Sequence, residues 1–246
     1  LVGSYQEGEE ALTELVRMRP EWRDQILRMV PDDDTVTHHW STIARGNIHT
    51  LSDHEHVWIL IAPQLAIERG HNILNDQQVA ALGAALYLVR PHLHPEDLSY
   101  HVQSMSRWAV EEIRNGLPSA GPATAAIGAR AQMFRQIARR DWMDRLEEPL
   151  RYSLTKSNSP ERRAMDWTNI PPLNQVIGRM LRGGATARVY FCDAAFAPAE
   201  PDSPLLGMYR ALDHALVGPD ADIAEALYRP LHSALKTLLE KYRGNL

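Results

Sequence analysis

The chain has 246 residues, 44% of them hydrophobic and 23% charged, with a formal net charge of -5. That balance excludes intrinsic disorder and a generally basic nucleic-acid coat, and it gives room for one large domain or two smaller ones. A single cysteine, Cys192, excludes an internal disulfide framework and a cysteine metal cluster, and it fits a reducing compartment such as the cytoplasm.

Leu1-Val-Gly-Ser-Tyr5 reads as the end of a strand, and Glu9 to Met18 as the helix after it. A chain that opens in mid-strand and without methionine is expected to lack an N-terminal portion. Asp24 to Val30 fits either a second strand, closed by Pro31 and the acidic turn Asp32-Asp33-Asp34, or the end of a helix. Ser41 to Leu51 predicts a short helix. Val57 to Ala62 predicts a strand buried on both faces of a parallel sheet, with Arg69-Gly70 as a tight turn at its carboxyl end. Asp76 to Gly83 has helical composition, and Ala84 to Val89 predicts a further strand ending at Arg90-Pro91. Alternating strands and helices point to a parallel α/β core.

From Pro95 the pattern changes. Glu96 to Asn115 and Ala123 to Ser153 carry helical periodicity and few strand signals, which predicts a helical insertion over about 96–158. Gly116 to Pro122 is the internal hinge, and Lys156 to Pro160 the next loop. The second helix carries Arg130, Arg135, Arg139, Arg140, Arg145 and Arg151 around Trp142, interleaved with Asp141, Asp144, Glu147 and Glu148. Two readings fit it: a solvated face with ion pairs between successive turns, or a track for a nucleic-acid backbone. Beyond Asp193, a proline-rich loop from Ala197 to Pro204 leads to two helices, Leu205 to Leu216 and Ile223 to Tyr242, which are expected to cap the core over about 205–243. No apolar run reaches the roughly 18 residues needed to cross a bilayer.

The most informative stretch is Gln175-Val-Ile-Gly-Arg-Met-Leu-Arg182, followed by Gly183-Gly184 and the β-prone run Ala187 to Cys192. Gln175, Gly178, Arg179 and Arg182 lie three or four positions apart, so a helix carries them on one face, two arginines making a fork for an anion. Gly178 would let a backbone or ligand come close, and the glycine pair stops the helix before a strand. This Q-x-x-G-R-x-x-R helix, turn and strand resembles the sixth motif of superfamily 2 helicases and translocases. Upstream, the strand ending in Ala62-Pro63 and the turn Ala66-Ile-Glu-Arg-Gly-His-Asn-Ile73 resemble the fifth motif, and the opening strand and helix resemble the fourth. The chain is thus similar, from Leu1 to about Phe196, to the C-terminal RecA-like domain of such a helicase, with a texture like the DinG-like branch, including helicases encoded beside prokaryotic PIWI-type proteins.

The resemblance implies a RecA-like parallel sheet flanked by helices, acting as one half of an ATP-driven clamp. It implies that Arg179 and Arg182 serve as arginine fingers, a device worth about 10³ to 10⁵ in turnover. Gln175, Gly178, Gly70 and Asn72 would meet the nucleotide, and Ser4, Tyr5, Gln64, Arg69, Arg135 and Arg139 would meet single-stranded DNA or RNA. Two positions depart from the family pattern: Asn72 stands where an aspartate is usual, so it can hydrogen-bond a ribose but not act as a carboxylate base, and Gln64 stands near a usual threonine. No G-x-x-x-x-G-K-[ST] loop or acidic magnesium motif is present, so ATP and Mg²⁺ are expected to be held mainly by an N-terminal RecA-like lobe outside this chain, and the chain alone is expected not to hydrolyse ATP. Arg179 and Arg182 read equally as partners of structural carboxylates. The histidine groups His38-His39, His49-His54-His56 and His92-His94 lack the spacing of a metal site, and no serine lies in a G-x-S-x-G elbow. The alternative left open is a noncatalytic helical interaction module that uses the same arginines to bind an acidic protein or a nucleic acid.

Overall fold

In a computed structural model of the chain, the described residues are 1–33, 41–67, 73–90, 99–117, 120–147, 160–200 and 203–244. The turn Arg69-Gly70, Asn72, the His38-His39 and His92-His94 pairs, Arg151 and most of the Lys156 to Pro160 loop lie outside them. The fold is mixed α/β and mostly helical. It divides into two compact units, one made of Leu1–His92 with Asn169–Leu246, the other of Leu93–Thr168.

The first unit is built on parallel strands. β1 (Ile26–Val30) pairs with β2 (Thr42–Ala44) on one side and with β3 (Ile59–Ile61) on the other, both parallel. β4 (Ala84–Tyr87) pairs in parallel with β5 (Arg188–Phe191). Leu1 and Val2 join the two ladders: the Val2 amide donates to Ala62 O (3.1 Å) and Val2 O accepts from Gln64 N (3.0 Å), while the Leu1 ammonium donates to Leu86 O (2.6 Å) and Leu1 O accepts from Leu88 N (3.0 Å). The result is a parallel layer in the order β2, β1, β3, Leu1–Val2, β4, β5. β1 is buried at all five positions, Ile26 and Met29 almost completely. Each of those two side chains contributes about 1.5–3 kcal/mol relative to exposure. A strand covered on both faces has no apolar-polar alternation, so this segment reads equally as strand or helix from residues alone.

Helix α1 (Tyr5–Met18) follows Leu1–Val2 directly, and the single turn α2 (Gln64–Ile67) follows β3. Its entry is a capping box: Ser4 Oγ accepts from Glu7 N (3.1 Å), and Gly3 N donates to Glu7 Oε2 (2.7 Å). Ala11, Leu12, Leu15 and Val16 of this helix cover Val2, Ile26, Ile59 and Ile61 with Trp22. The last turns of α5 (Pro160–Met180) also reach the layer: Ile170, Leu173, Val176 and Met180 are buried, and Leu173 borders a small cavity with Tyr87 and Phe191. The carboxyl end of β5 is closed by aromatic packing, Tyr87 stacked on Phe191 at 5.4 Å and Phe191 against Phe196 at 4.9 Å. Helices α6 (Pro204–Ala215) and α7 (Ala221–Gly244) pack on each other through Leu212, Leu231 and Leu235, with Tyr209 stacked on His232 at 5.0 Å.

Three expectations are corrected. Ser41 to Leu51 is helical only from Arg45 onward: Thr42–Ala44 is strand β2, and Arg45–Asp53 is a 3₁₀ helix in which Gly46 N donates to Asp32 Oδ1 (2.5 Å). Asp76 to Gly83 is not a helix. Asn75 Oδ1 accepts from the amides of Gln77 and Val79 (3.0 Å each), Gln78 takes a φ of 60°, and Leu74 pairs with Ala80 in antiparallel fashion. The asparagine side chain has taken the place of helical hydrogen bonds. The strand expected over Val57 to Ala62 is shorter, and Trp58 at its start is 71% exposed.

The second unit holds α3 (Ser99–Arg114) and α4 (Ile127–Glu147), with Trp108 stacked on Phe134 at 5.1 Å. Arg107 and Glu111 form an exposed pair at 2.9 Å. Arg130 donates to the carbonyls of Gly116 and Leu117, clasping a turn whose two residues both have positive φ.

Candidate functional site

The site is built where α5 hands the chain to β5. Burial of Ile170, Leu173, Val176 and Met180 fixes the rotation of the helix, so Gln175 and Gly178 fall on the opposite, exposed face. Arg179 is half-buried and engaged with a neighbour, and Arg182 is exposed in the turn that follows. Gly183 and Gly184 have φ of 69° and 78°, the left-handed region that ends helices. The turn is pinned because Arg182 O accepts from Ala80 N (3.1 Å) and from Ala185 N (3.5 Å). Gly183 lies so close to the Asn75–Ala80 turn that an added Cβ would stand 2.8 Å from Val79 Cα. A Cβ at Gly178 would meet nothing within 4 Å. Among the described residues, then, no neighbour requires glycine at Gly178, and that surface is open.

Ala80 precedes β4 and Arg188 begins β5, so the turn holding Arg182 stands at the amino-end rim of the layer. Two features that the motif reading passed over lie at the same rim. Arg188, exposed at the start of β5, is a third cation within ten residues of Arg179. A pocket of about 250 Å³ lined by Ser52, His54, Glu55, Trp58 and Asn75 adjoins Ala80. Its only advance signal was the exposed aromatic ending a polar, histidine-rich loop.

Ser4 and Gln64 stand at the opposite, carboxyl-end rim, and the fold does not bring them to the arginines. Ser4 is exposed, with its hydroxyl accepting the cap bond, and Tyr5 is half-buried. Gln64 is 9% exposed and borders a small cavity with Tyr87, Leu173 and Phe191, so little of its side chain is offered to an outside phosphate. Carboxylates at this rim serve the main chain: Asp193 accepts from the amides of Ala195 (2.9 Å) and Arg90 (3.3 Å), as Asp32 does from Gly46. Arg69, Gly70 and Asn72 lie outside the described residues.

In the second unit, Arg135 and Arg139 stand one turn apart on α4, both exposed and making no ion pair among the described residues. Arg130, by contrast, is committed to Gly116 and Leu117. The proposed basic track is therefore shorter than the run of arginines in the sequence. Among the described residues no three of His, Cys, Asp and Glu converge on a metal position; His54 and His56 lie edge-on with ring centres 6.1 Å apart. The donors at the arginine rim suit phosphate oxygens, whereas Mg²⁺ requires oxygen ligands from elsewhere. No protein-family model, curated protein or solved structure matches the chain.

Proposed function

We propose that this chain is the C-terminal RecA-like lobe of an ATP-dependent superfamily 2 helicase or translocase. The single observation that supports the reading is the end of α5, where Gln175 and Gly178 lie on the exposed face of the helix, Arg179 is half-buried and Arg182 is exposed in the turn at the amino-end rim of the layer. Phosphoryl transfer from a nucleotide is stabilised mainly by positive charge placed around the transferring group, and ATP held by a partner lobe supplies that group. Arg179 and Arg182 receive its outer phosphate oxygens as a fork, with Gln175 donating beside them and Gly70 and Asn72 completing the nucleotide contacts. Arg188 adds positive potential at the same rim.

In the second unit, Arg135 and Arg139 hold the backbone of a single strand by charge; in the first unit, Arg69 and the main chain around Ser4 and Tyr5 are separate phosphate contacts. Closure of the two lobes on nucleotide then alternates with release, which moves the strand. The isolated chain hydrolyses no ATP in this reading. Joined to a lobe carrying a phosphate-binding loop, it gives turnover that rises with single-stranded nucleic acid. A joined protein whose turnover ignores nucleic acid removes the proposal. A second reading, a helical module that binds a protein partner, is favoured by the apolar side chains exposed on α3 and α4, Ile113 and Ile127 above all.

A further inference from the structure

The pocket of about 250 Å³ at the amino-end rim is framed by main chain that is already held in place. His54 N donates to Leu51 O (3.1 Å) at the end of the 3₁₀ helix Arg45–Asp53, Val57 N closes a turn on His54 O (2.9 Å), and Trp58 N donates to Gln25 O (2.9 Å). In the second segment that lines it, Asn75 N donates to Val79 O (2.8 Å), Gln78 N to Asn75 O (2.9 Å) and Ala81 N to Ile73 O (3.1 Å). Side chains standing on bonded turns need little ordering when a ligand arrives.

Trp58 is 71% exposed, the one exposed tryptophan among the described residues. Its indole offers a flat apolar face on which another aromatic ring can stack. Glu55 is also exposed and has no hydrogen bond or ion pair among the described residues. When ionised it can only accept. Both lone pairs of Asn75 Oδ1 are taken by the amides of Gln77 and Val79 (3.0 Å each), so Asn75 has only the N–H groups of Nδ2 left to offer. The pocket therefore combines a stacking face, a charged acceptor and a neutral donor. Its volume lies below the roughly 300–1,000 Å³ of sites for drug-sized ligands, which suits one planar heterocycle rather than a whole nucleotide.

We propose that this pocket binds a guanine base, with the sugar and phosphate left outside. The Watson–Crick edge of guanine carries the O6 acceptor beside two neighbouring donors, N1–H and N2–H. Glu55 accepts from both donors as a charged, two-pronged pair, Asn75 Nδ2 donates to O6, and the ring lies on Trp58. Adenine and cytosine place a single amino group next to a ring acceptor, and uracil and thymine place one N–H between two carbonyls, so each leaves a carboxylate oxygen without a donor. The assignment is separate from the helicase reading, since it involves neither Arg179 nor Arg182 nor ATP turnover.

The test titrates the full chain by calorimetry with two guanine probes, guanosine monophosphate and a thymidine hexanucleotide carrying one guanine. The adenosine, cytidine and uridine monophosphates and the plain thymidine hexanucleotide serve as controls. The guanine probes are expected to bind at least about tenfold more tightly than the controls. Trp58→Ala is expected to weaken them by at least about tenfold, Trp58→Phe to keep most of the affinity, and Glu55→Gln to erase the preference for guanine. Both side chains are exposed, so these variants are expected to keep the Tm of the parent chain, which makes a loss of binding local. Selective binding of either guanine probe supports the assignment, and the tighter of the two identifies the source as a free nucleotide or a strand. Equal affinity for all the bases, no binding of either guanine probe, or binding that neither Trp58→Ala nor Glu55→Gln changes overturns it.

Discussion

Three glycines around the arginine helix differ in surroundings, and alanine at each gives a graded series. At Gly183 the new Cβ would stand 2.8 Å from Val79 Cα, 2.9 Å from Val79 Cγ2 and 3.0 Å from Gln78 O. Two of these are backbone atoms, so rotation of a side chain brings no relief. A left-handed φ adds about 1–2 kcal/mol for a residue with a Cβ, and forced overpacking about 1–3 kcal/mol. Gly183→Ala therefore costs about 2–5 kcal/mol. At roughly 2–4 °C per kcal/mol for a chain of this size, Tm falls by about 4–20 °C. Gly184 shares the left-handed φ but has open space, so alanine there costs only about 1–2 kcal/mol. Gly178 is helical with nothing within 4 Å, and alanine gains about 0.5–1 kcal/mol. Thermal unfolding by circular dichroism reads all three. If Gly183→Ala proves no worse than Gly184→Ala, the close packing of the α5–β5 turn on Val79 is wrong. If the Gly178→Ala chain gains stability yet, joined to a lobe carrying a phosphate-binding loop, loses turnover, the open face at Gly178 is where that lobe approaches.

The Leu1 ammonium has a pKa lowered by burial from its ordinary value near 8.0. The unfolded chain then binds the proton more readily than the folded one, so stability is fully present above about pH 8 and declines as pH falls toward the folded pKa. Urea midpoints between pH 6 and 9 measure this, and acetylation of the amine abolishes the dependence; an unchanged pH profile after acetylation contradicts it. Ser4→Ala removes the α1 cap and lowers stability by about 1 kcal/mol in urea unfolding, with Ser4→Asp retaining most of it. Replacing both Arg135 and Arg139 by alanine removes two phosphate contacts, so the slope of log affinity against log salt for a single strand falls by about 1.4. An unaltered slope in fluorescence anisotropy titrations assigns those arginines to plain solvation.

How legible the fold was depended on whether local signals and tertiary burial agreed. Helix α1 is readable from its apolar stripe through Leu12, Leu15 and Val16, but its start is not: Tyr5, expected in a strand, is the first helical residue, and Ser4 and Glu7 form the cap ahead of the expected start at Glu9. The α5–β5 handover is readable because Gly183 and Gly184 occupy positions that demand positive φ. The segment from Asp76 misleads because its helical composition loses to one side chain, Asn75, which caps a tight turn. Thr42–Ala44 is too short to carry a period, and its strand character comes from pairing with β1. Within the site, motif spacing locates Arg179 and Arg182, but burial of Gln64 and the commitment of Arg130 to two carbonyls are tertiary facts with no trace in spacing. Arg188 and Trp58 escape notice because each ends or begins a strand and belongs to no motif.

The central claim is that Arg179 and Arg182 stabilise charge on a phosphoryl group held by a second lobe. The direct measurement is nucleic-acid-stimulated ATP turnover by the chain joined to that lobe, with each arginine replaced in turn by alanine and by lysine. Either alanine is expected to lower kcat by about 10³ or more with little change in KM, and lysine to recover only part of the loss, because it keeps the charge but not the fork. Turnover that survives both alanine replacements contradicts the account.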